Sequence, residues 1–232
     1  MGQFWRGFPN FLLTEIKKTL GDEVVAIETG TFKGYTTKRL ALFVDRLISI
    51  EANFNYYTKS KRKLQRFRNV EVIYGDSRTL IRQLLPPSDT KCIFWLDAHF
   101  SGGSTAGSQD NCPLMDELLH TLPLRHSSNS IIFIDDSRGL NGASGWPILS
   151  EVVDYLNQHH YSSMIIDDVM IASSTKNLKF IAESFARSRT YAFERLGGRM
   201  SLIMPLVKSI GFISTLSFKF KNHKFFDKGL TR

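Results

Sequence analysis

The sequence predicts an α/β domain: a mostly parallel sheet covered on both faces, closed by an antiparallel hairpin and followed by a basic C-terminal extension. Three observations predict it. Five short runs (24–29, 46–50, 70–74, 92–96 and 130–134) are largely apolar rather than cleanly alternating, the pattern of strands buried on both faces. Each run is followed by a stretch of helical character, and strands alternating with helices imply a parallel sheet. Residues 163–172 then read as two short strands about Asp167-Asp168, a tight turn between antiparallel neighbours. A chain of 232 residues suits one such domain with room for an extra segment.

The elements follow in order. Residues 1–19 form an N-terminal segment, with an amphipathic helix expected over 8–20. This start lacks the long apolar core and small-residue cleavage site of a signal peptide. Arg6 stands where a myristoylation site needs Ser or Thr. The first strand ends in Glu28-Thr29, a turn framed by Gly30 and Gly34 follows, and a helix is expected over 35–44. Glycine suits that turn because nothing projects from its α-carbon to keep another backbone away. The second strand ends at Glu51 and leads to a helix over 53–67. The third runs into Gly75-Asp76-Ser77, and a short helix over 80–85 is stopped by Pro86-Pro87. The fourth ends in Asp97-Ala98-His99, and Pro113 stands at the first position of a helix to 122. The fifth ends in Asp135-Asp136 and is followed by a helix over 147–160.

Charge divides the chain. The net charge is +8, yet residues 1–175 hold 18 Lys/Arg against 19 Asp/Glu, while residues 176–232 hold 12 against 3. The expected organisation is therefore an N-terminal segment (1–19), an α/β domain (20–175) and a basic amphipathic extension (176–232), the basicity being an appendage. Residues 178–196 fit an amphipathic helix stopped by Gly197-Gly198. Residues 200–218 are apolar-rich but diluted by Pro205, Gly211 and several hydroxyls. Three readings of this extension stay open: a membrane span, a peripheral membrane contact helped by Lys219, Lys221, Lys224 and Lys228, and a packed extension with a solvated basic end. Cys92 and Cys112 make no disulfide framework, so a reducing, cytoplasmic location is expected, with peripheral membrane contact as the variant. Cys92 lies in an apolar run and reads as a core residue.

The turn Glu28-Thr29-Gly30-Thr31-Phe32-Lys33-Gly34-Tyr35-Thr36 lacks the GxGxxG of dinucleotide folds and the GK[ST] of a P-loop. It resembles the first motif of class I S-adenosylmethionine-dependent methyltransferases, nearest to the metal-dependent O-methyltransferases of caffeoyl-CoA, catechol and macrocin type. The string LDAH-x-SGG-x-TAG at 96–107, with D-x-CP-L-x-x-EL and IDD-S-R after it, is similar to uncharacterised bacterial relatives of that class. The resemblance covers roughly residues 20–174 and implies a Rossmann-like sheet whose last strand is antiparallel.

The resemblance also implies a site. S-adenosylmethionine would be held by Glu28, Gly30, Thr31, Gly34, Glu51, Asp76 and Ser77, with Glu51 on the ribose hydroxyls and Asp76 near the adenine amino group. Asp97, Asp135 and Asp136 would hold Mg²⁺, Asp136 standing where the family has Asn. The lysine that several relatives carry is replaced by Phe100, which leaves His99 as the natural proton acceptor beside Asp97. The residues alone leave other roles open: His99 as a loop donor to a carboxylate, and the acids as helix caps or surface charges. Arg138 would bind an acidic substrate group or pair with Asp135.

The expected activity is thus O-methylation of a small-molecule or sugar-like acceptor. Two rivals stand beside it. Lys61-Arg62-Lys63, Arg66, Arg68 and the basic extension suggest a nucleic-acid methyltransferase, against which the lack of an NPPY or DPPY string counts. A non-catalytic nucleotide-binding module is the other.

Overall fold

The computed structural model describes residues 10–98, 112–143, 145–166 and 168–186. Expectations for the LDAH loop beyond Ala98, His99 included, and for the extension beyond 186 lie outside them. The chain divides into two units, Met1–Ser184 and Phe185–Arg232, and the first holds the sheet.

Seven strands form one sheet: β1 (Val24–Thr29), β2 (Arg46–Glu51), β3 (Val70–Tyr74), β4 (Lys91–Leu96), β5 (Ser130–Ile134), β6 (Ser162–Ile166) and β7 (Val169–Ser173). Their order is β3-β2-β1-β4-β5-β7-β6. The first five strands are mutually parallel, and β7 runs antiparallel between β5 and β6. The helices are α1 (Asn10–Leu20), α2 (Tyr35–Leu40), α3 (Phe54–Leu64), α4 (Ser77–Leu84), α5 (Leu114–Thr121) and α6 (Leu149–Gln158).

The apolarity of the central strands has a simple cause: both faces are covered. Along β4, Ile93 and Trp95 enter one core with Leu13, Ile16 and Leu20 of α1, while Cys92, Phe94 and Leu96 enter the other with Leu114 and Leu118 of α5. Strands β5 and β7 split in the same way, Phe133 and Ile171 to one core, Ile132 and Met170 to the other. Residues 175–186 are helical and bring Leu178 and Ile181 to the first core. Cys92 is fully buried, and burial pushes its thiol up to about 11, as suits a core residue.

Several helix ends depart from the expected bounds, α3 stopping at Leu64 among them, and hydrogen bonds account for two. α2 stops at Leu40, short of 44, because the chain tightens there and Asn69 Nδ2 donates to the carbonyls of Ala41 (2.8 Å) and Val44 (2.9 Å). α4 starts at Ser77, ahead of 80, because Asp76 caps it by accepting the Arg78 N–H at 2.9 Å. Among the described residues no helix is long and apolar enough to cross a membrane.

Candidate functional site

In an open α/β sheet the site lies at the carboxyl ends of the strands, where the connections diverge to either side. Here β1 has β2 on one flank and β4 on the other, so the divergence falls beside the turn after β1. That turn owes its shape to glycine: Gly30 has φ +81°, and a Cβ there would stand 2.4 Å from the Asp97 carbonyl oxygen. Gly34, also left-handed, closes the turn by donating its N–H to Thr31 O at 2.8 Å. Phe32 between them takes φ +46°, a strained value for an aromatic residue.

Glu51 braces the turn. It is 7 % exposed, and its two oxygens face different ways: Oε2 accepts the Phe32 N–H at 2.7 Å and Oε1 the Asn53 N–H at 2.8 Å. One carboxylate thus ties the glycine turn to the entry of α3, where Asn53 caps the helix through Asn55 and Tyr56.

Glu28 sits deeper than a ligand-facing role requires. At 1 % exposure, its Oε2 accepts hydrogen bonds from Thr37 (2.6 Å) and Ser49 (2.5 Å), and the Ser49 hydroxyl meets that of Thr31 at 2.6 Å. Burial lifts its pKa to about 7 against these bonds. Thr31 and Glu28 therefore belong to one hydrogen-bonded chain beneath the turn. Asp76, at the end of β3, caps α4 and also pairs with Arg78 (2.6 Å), which holds its pKa below the usual value.

The acidic trio is drawn together only in part. Asp97 is raised well above the ordinary carboxyl range, first by burial and then by Asp135, Asp136 and Glu28, so the charges share one neighbourhood. Asp136, however, takes a left-handed backbone (φ +52°) and pairs with Arg138 at 2.6 Å. Arg138 also pairs with Asp168, whose carboxylate accepts the Arg138 backbone N–H at 3.0 Å. The guanidinium of Arg138 thus meets Asp136, the neighbour of Asp135, and Asp168. Among the described residues no group of three His, Cys, Asp or Glu side chains converges as a metal site. Asp136 is paired with a guanidinium while its charge still acts on Asp97.

The residue missed by sequence reasoning is Glu117 of α5. It is 1 % exposed and hydrogen-bonded to Thr29 and Ser77, while the Thr29 hydroxyl accepts the Asp97 N–H at 3.2 Å. Ser77, expected at the cofactor, is buried and turned towards this carboxyl. Glu117 thereby links the ends of β1 and β4 to the start of α4, and with Asp135 and Trp146 it lines a small recess. The signal available was the acid in the CP-L-x-x-EL string, inside an otherwise apolar helix face.

Burial lifts Glu117 from 4.5 to about 7. The native state then keeps a proton that the unfolded chain has released, so the stabilisation is complete below about pH 4.5 and is lost as pH rises through 7. Glu117→Gln should flatten this decline, by up to about 1.4 kcal/mol per pH unit for one group. Urea unfolding at acidic and mildly alkaline pH checks it, and parallel curves for the two proteins would count against a raised Glu117.

No family model matches the chain, and no curated protein matches it. Among solved structures it is similar to a candidate methyltransferase from Streptococcus mutans in complex with SAH (TM-score 0.51, 15 % identity, 69 % of this chain and 94 % of that one). It is also similar to the O-methyltransferase TomG from Streptomyces achromogenes in complex with SAM (0.49, 15 %, 72 % and 79 %). A third is precorrin-6y C5,15-methyltransferase from Geobacter metallireducens (0.49, 16 %, 70 % and 86 %). At these identities the likeness is one of fold: a Rossmann-like methyltransferase sheet with its antiparallel hairpin.

Proposed function

We propose that the chain is an S-adenosylmethionine-dependent methyltransferase that acts on an oxygen of a small-molecule or sugar-like acceptor. The observation that carries this reading is Glu51. It is an almost buried carboxylate at the end of β2, and each of its oxygens already takes one backbone N–H. A carboxylate oxygen has two acceptor sites, so one remains on each, spaced for the two hydroxyls of a ribose. Bound S-adenosylmethionine supplies a methyl group made electrophilic by its sulfonium.

The chain's own residues do the rest. Glu51 orients the ribose, and the Gly30–Gly34 turn lets the amino-acid part approach the backbone, with Thr31 and Glu28 stiffening the turn from below. Asp76 bounds the adenine side, shared with Arg78. Where no cation holds Asp97, its carboxylate can take the proton of the substrate hydroxyl. His99 is the second candidate for that proton.

Magnesium is the finer part of this reading. Asp97 and Asp135 fit as oxygen ligands for a hard cation, and Asp136 fits once it is released from Arg138. Cation and guanidinium then compete for one carboxylate. Turnover of labelled S-adenosylmethionine over a panel of hydroxylated acceptors should fall in EDTA and return with Mg²⁺. Arg138→Ala should lower the Mg²⁺ concentration required. Full activity in EDTA for both proteins would remove the metal and leave Asp97 or His99 to act alone.

A further inference from the structure

The sheet edge at β3 carries a surface that the cofactor site does not use. Phe54 and Tyr57 of α3 and Tyr74 at the end of β3 form a ring cluster, with Phe54–Tyr74 edge to face at 5.4 Å and Tyr57–Tyr74 at 5.4 Å. Phe54 is 61 % and Tyr74 51 % exposed, and among the described residues none covers these rings. Lys61 lies on the same helix face at i+7 from Phe54, its ammonium 5.0 Å above the Tyr57 ring and 2.6 Å from the hydroxyl. Phe32 packs on Tyr56 at 4.5 Å, which carries the line of rings towards the glycine turn.

The charge around these rings is of one sign. Residues 54–68 contain Lys59, Lys61, Arg62, Lys63, Arg66 and Arg68 and no acid. All six are exposed, and among the described residues none has a carboxylate partner. The nearby acid Glu71 is paired with Arg46 at 3.0 Å. A structural basic helix would be laced by neighbouring acids; this one is left uncompensated, with hydroxylated rings set among its charges.

We propose that this face binds single-stranded nucleic acid, with unpaired bases stacking on Phe54, Tyr57 and Tyr74 while Lys61 and Arg62 meet phosphates. Every base offers a π-face, so stacking needs no sequence, and a basic groove follows any backbone. The rings favour a strand with free bases over a duplex, whose bases are stacked on one another. This inference stands apart from the methyl-transfer reading, since it uses none of the cofactor residues.

The test is fluorescence anisotropy of the full chain with a labelled oligouridylate, a matched duplex and anionic phosphatidylserine vesicles. The single strand should bind more tightly than the duplex. Phe54→Ala with Tyr74→Ala should weaken it about tenfold or more. Lys61→Ala with Arg62→Ala should reduce the salt slope by about 1.4, at about 0.7 for each lost phosphate contact. S-adenosylmethionine calorimetry run alongside should not move for either variant, and the ring variant should lower the melting temperature by only a few degrees, as lost ring pairs require, which separates loss of this face from loss of the fold or of the cofactor site. Equal affinity for duplex, an affinity indifferent to the ring variants, or vesicle binding that these variants abolish while RNA binding persists would each overturn the proposal.

Discussion

Gly30→Ala should lower the melting temperature by about 10 °C, the largest stability effect expected from a single methyl group in this chain. Two costs add. The backbone at φ +81° disfavours any residue with a Cβ, by about 1–2 kcal/mol. The new Cβ would also stand 2.4 Å from the Asp97 carbonyl oxygen and 2.9 Å from its carbon. Neither atom belongs to a flexible side chain, so β4 must shift its end or the turn must open, and forced overpacking costs about 1–3 kcal/mol more. Asp97 would move with its own backbone, so turnover should fall beyond what the loss of folded protein explains. Differential scanning calorimetry of the two proteins decides it. An unchanged melting temperature would mean that the strand end yields, and that the glycine is present for the approach of a ligand rather than of β4.

Glu51→Ala should weaken S-adenosylmethionine binding by more than tenfold. The variant loses the acceptors for the ribose, and it also releases the Phe32 and Asn53 N–H groups that hold the turn and the start of α3. A hydrogen bond to a charged group contributes about 1.5–3 kcal/mol, so even one lost contact to the ligand meets the tenfold mark. Glu51→Gln separates the parts, because its amide can accept with one oxygen only. It should retain much of the fold and lose part of the affinity. Titration calorimetry with S-adenosylmethionine and S-adenosylhomocysteine measures both variants. Unchanged affinity in Glu51→Ala would take the ribose away from β2, and absence of binding to the wild type would remove the methyltransferase reading.

Much of this was legible from local pattern. The apolar runs at 92–96 and 130–134 announce strands because a strand buried on both faces has no position left for a polar residue. Gly30 and Gly34 announce a turn because few other residues accept their backbone angles. Acids at strand ends are visible because the periodic apolar signal stops there. Helix ends were less legible: α2 is cut short by Asn69, which comes from beyond α3, and α4 is lengthened by a cap that competes with a cofactor role for Asp76.

The sequence by itself therefore determined the alternation of strands and helices, the parallel sheet with its antiparallel close, and the glycine turn at the end of the first strand. These follow from hydrophobic period and backbone preference, which act over a few residues. Only the tertiary structure decided what each acid does. Glu117 reaches Thr29 and Ser77 because α5 packs beside α4 and against the same core as β1, and Asp136 turns to Arg138 in company with Asp168 from the β6–β7 turn. A carboxylate's role depends on which donor lies within about 3 Å, and those donors arrive from elements far apart along the chain, so the register of the assembled sheet and its helices selects them.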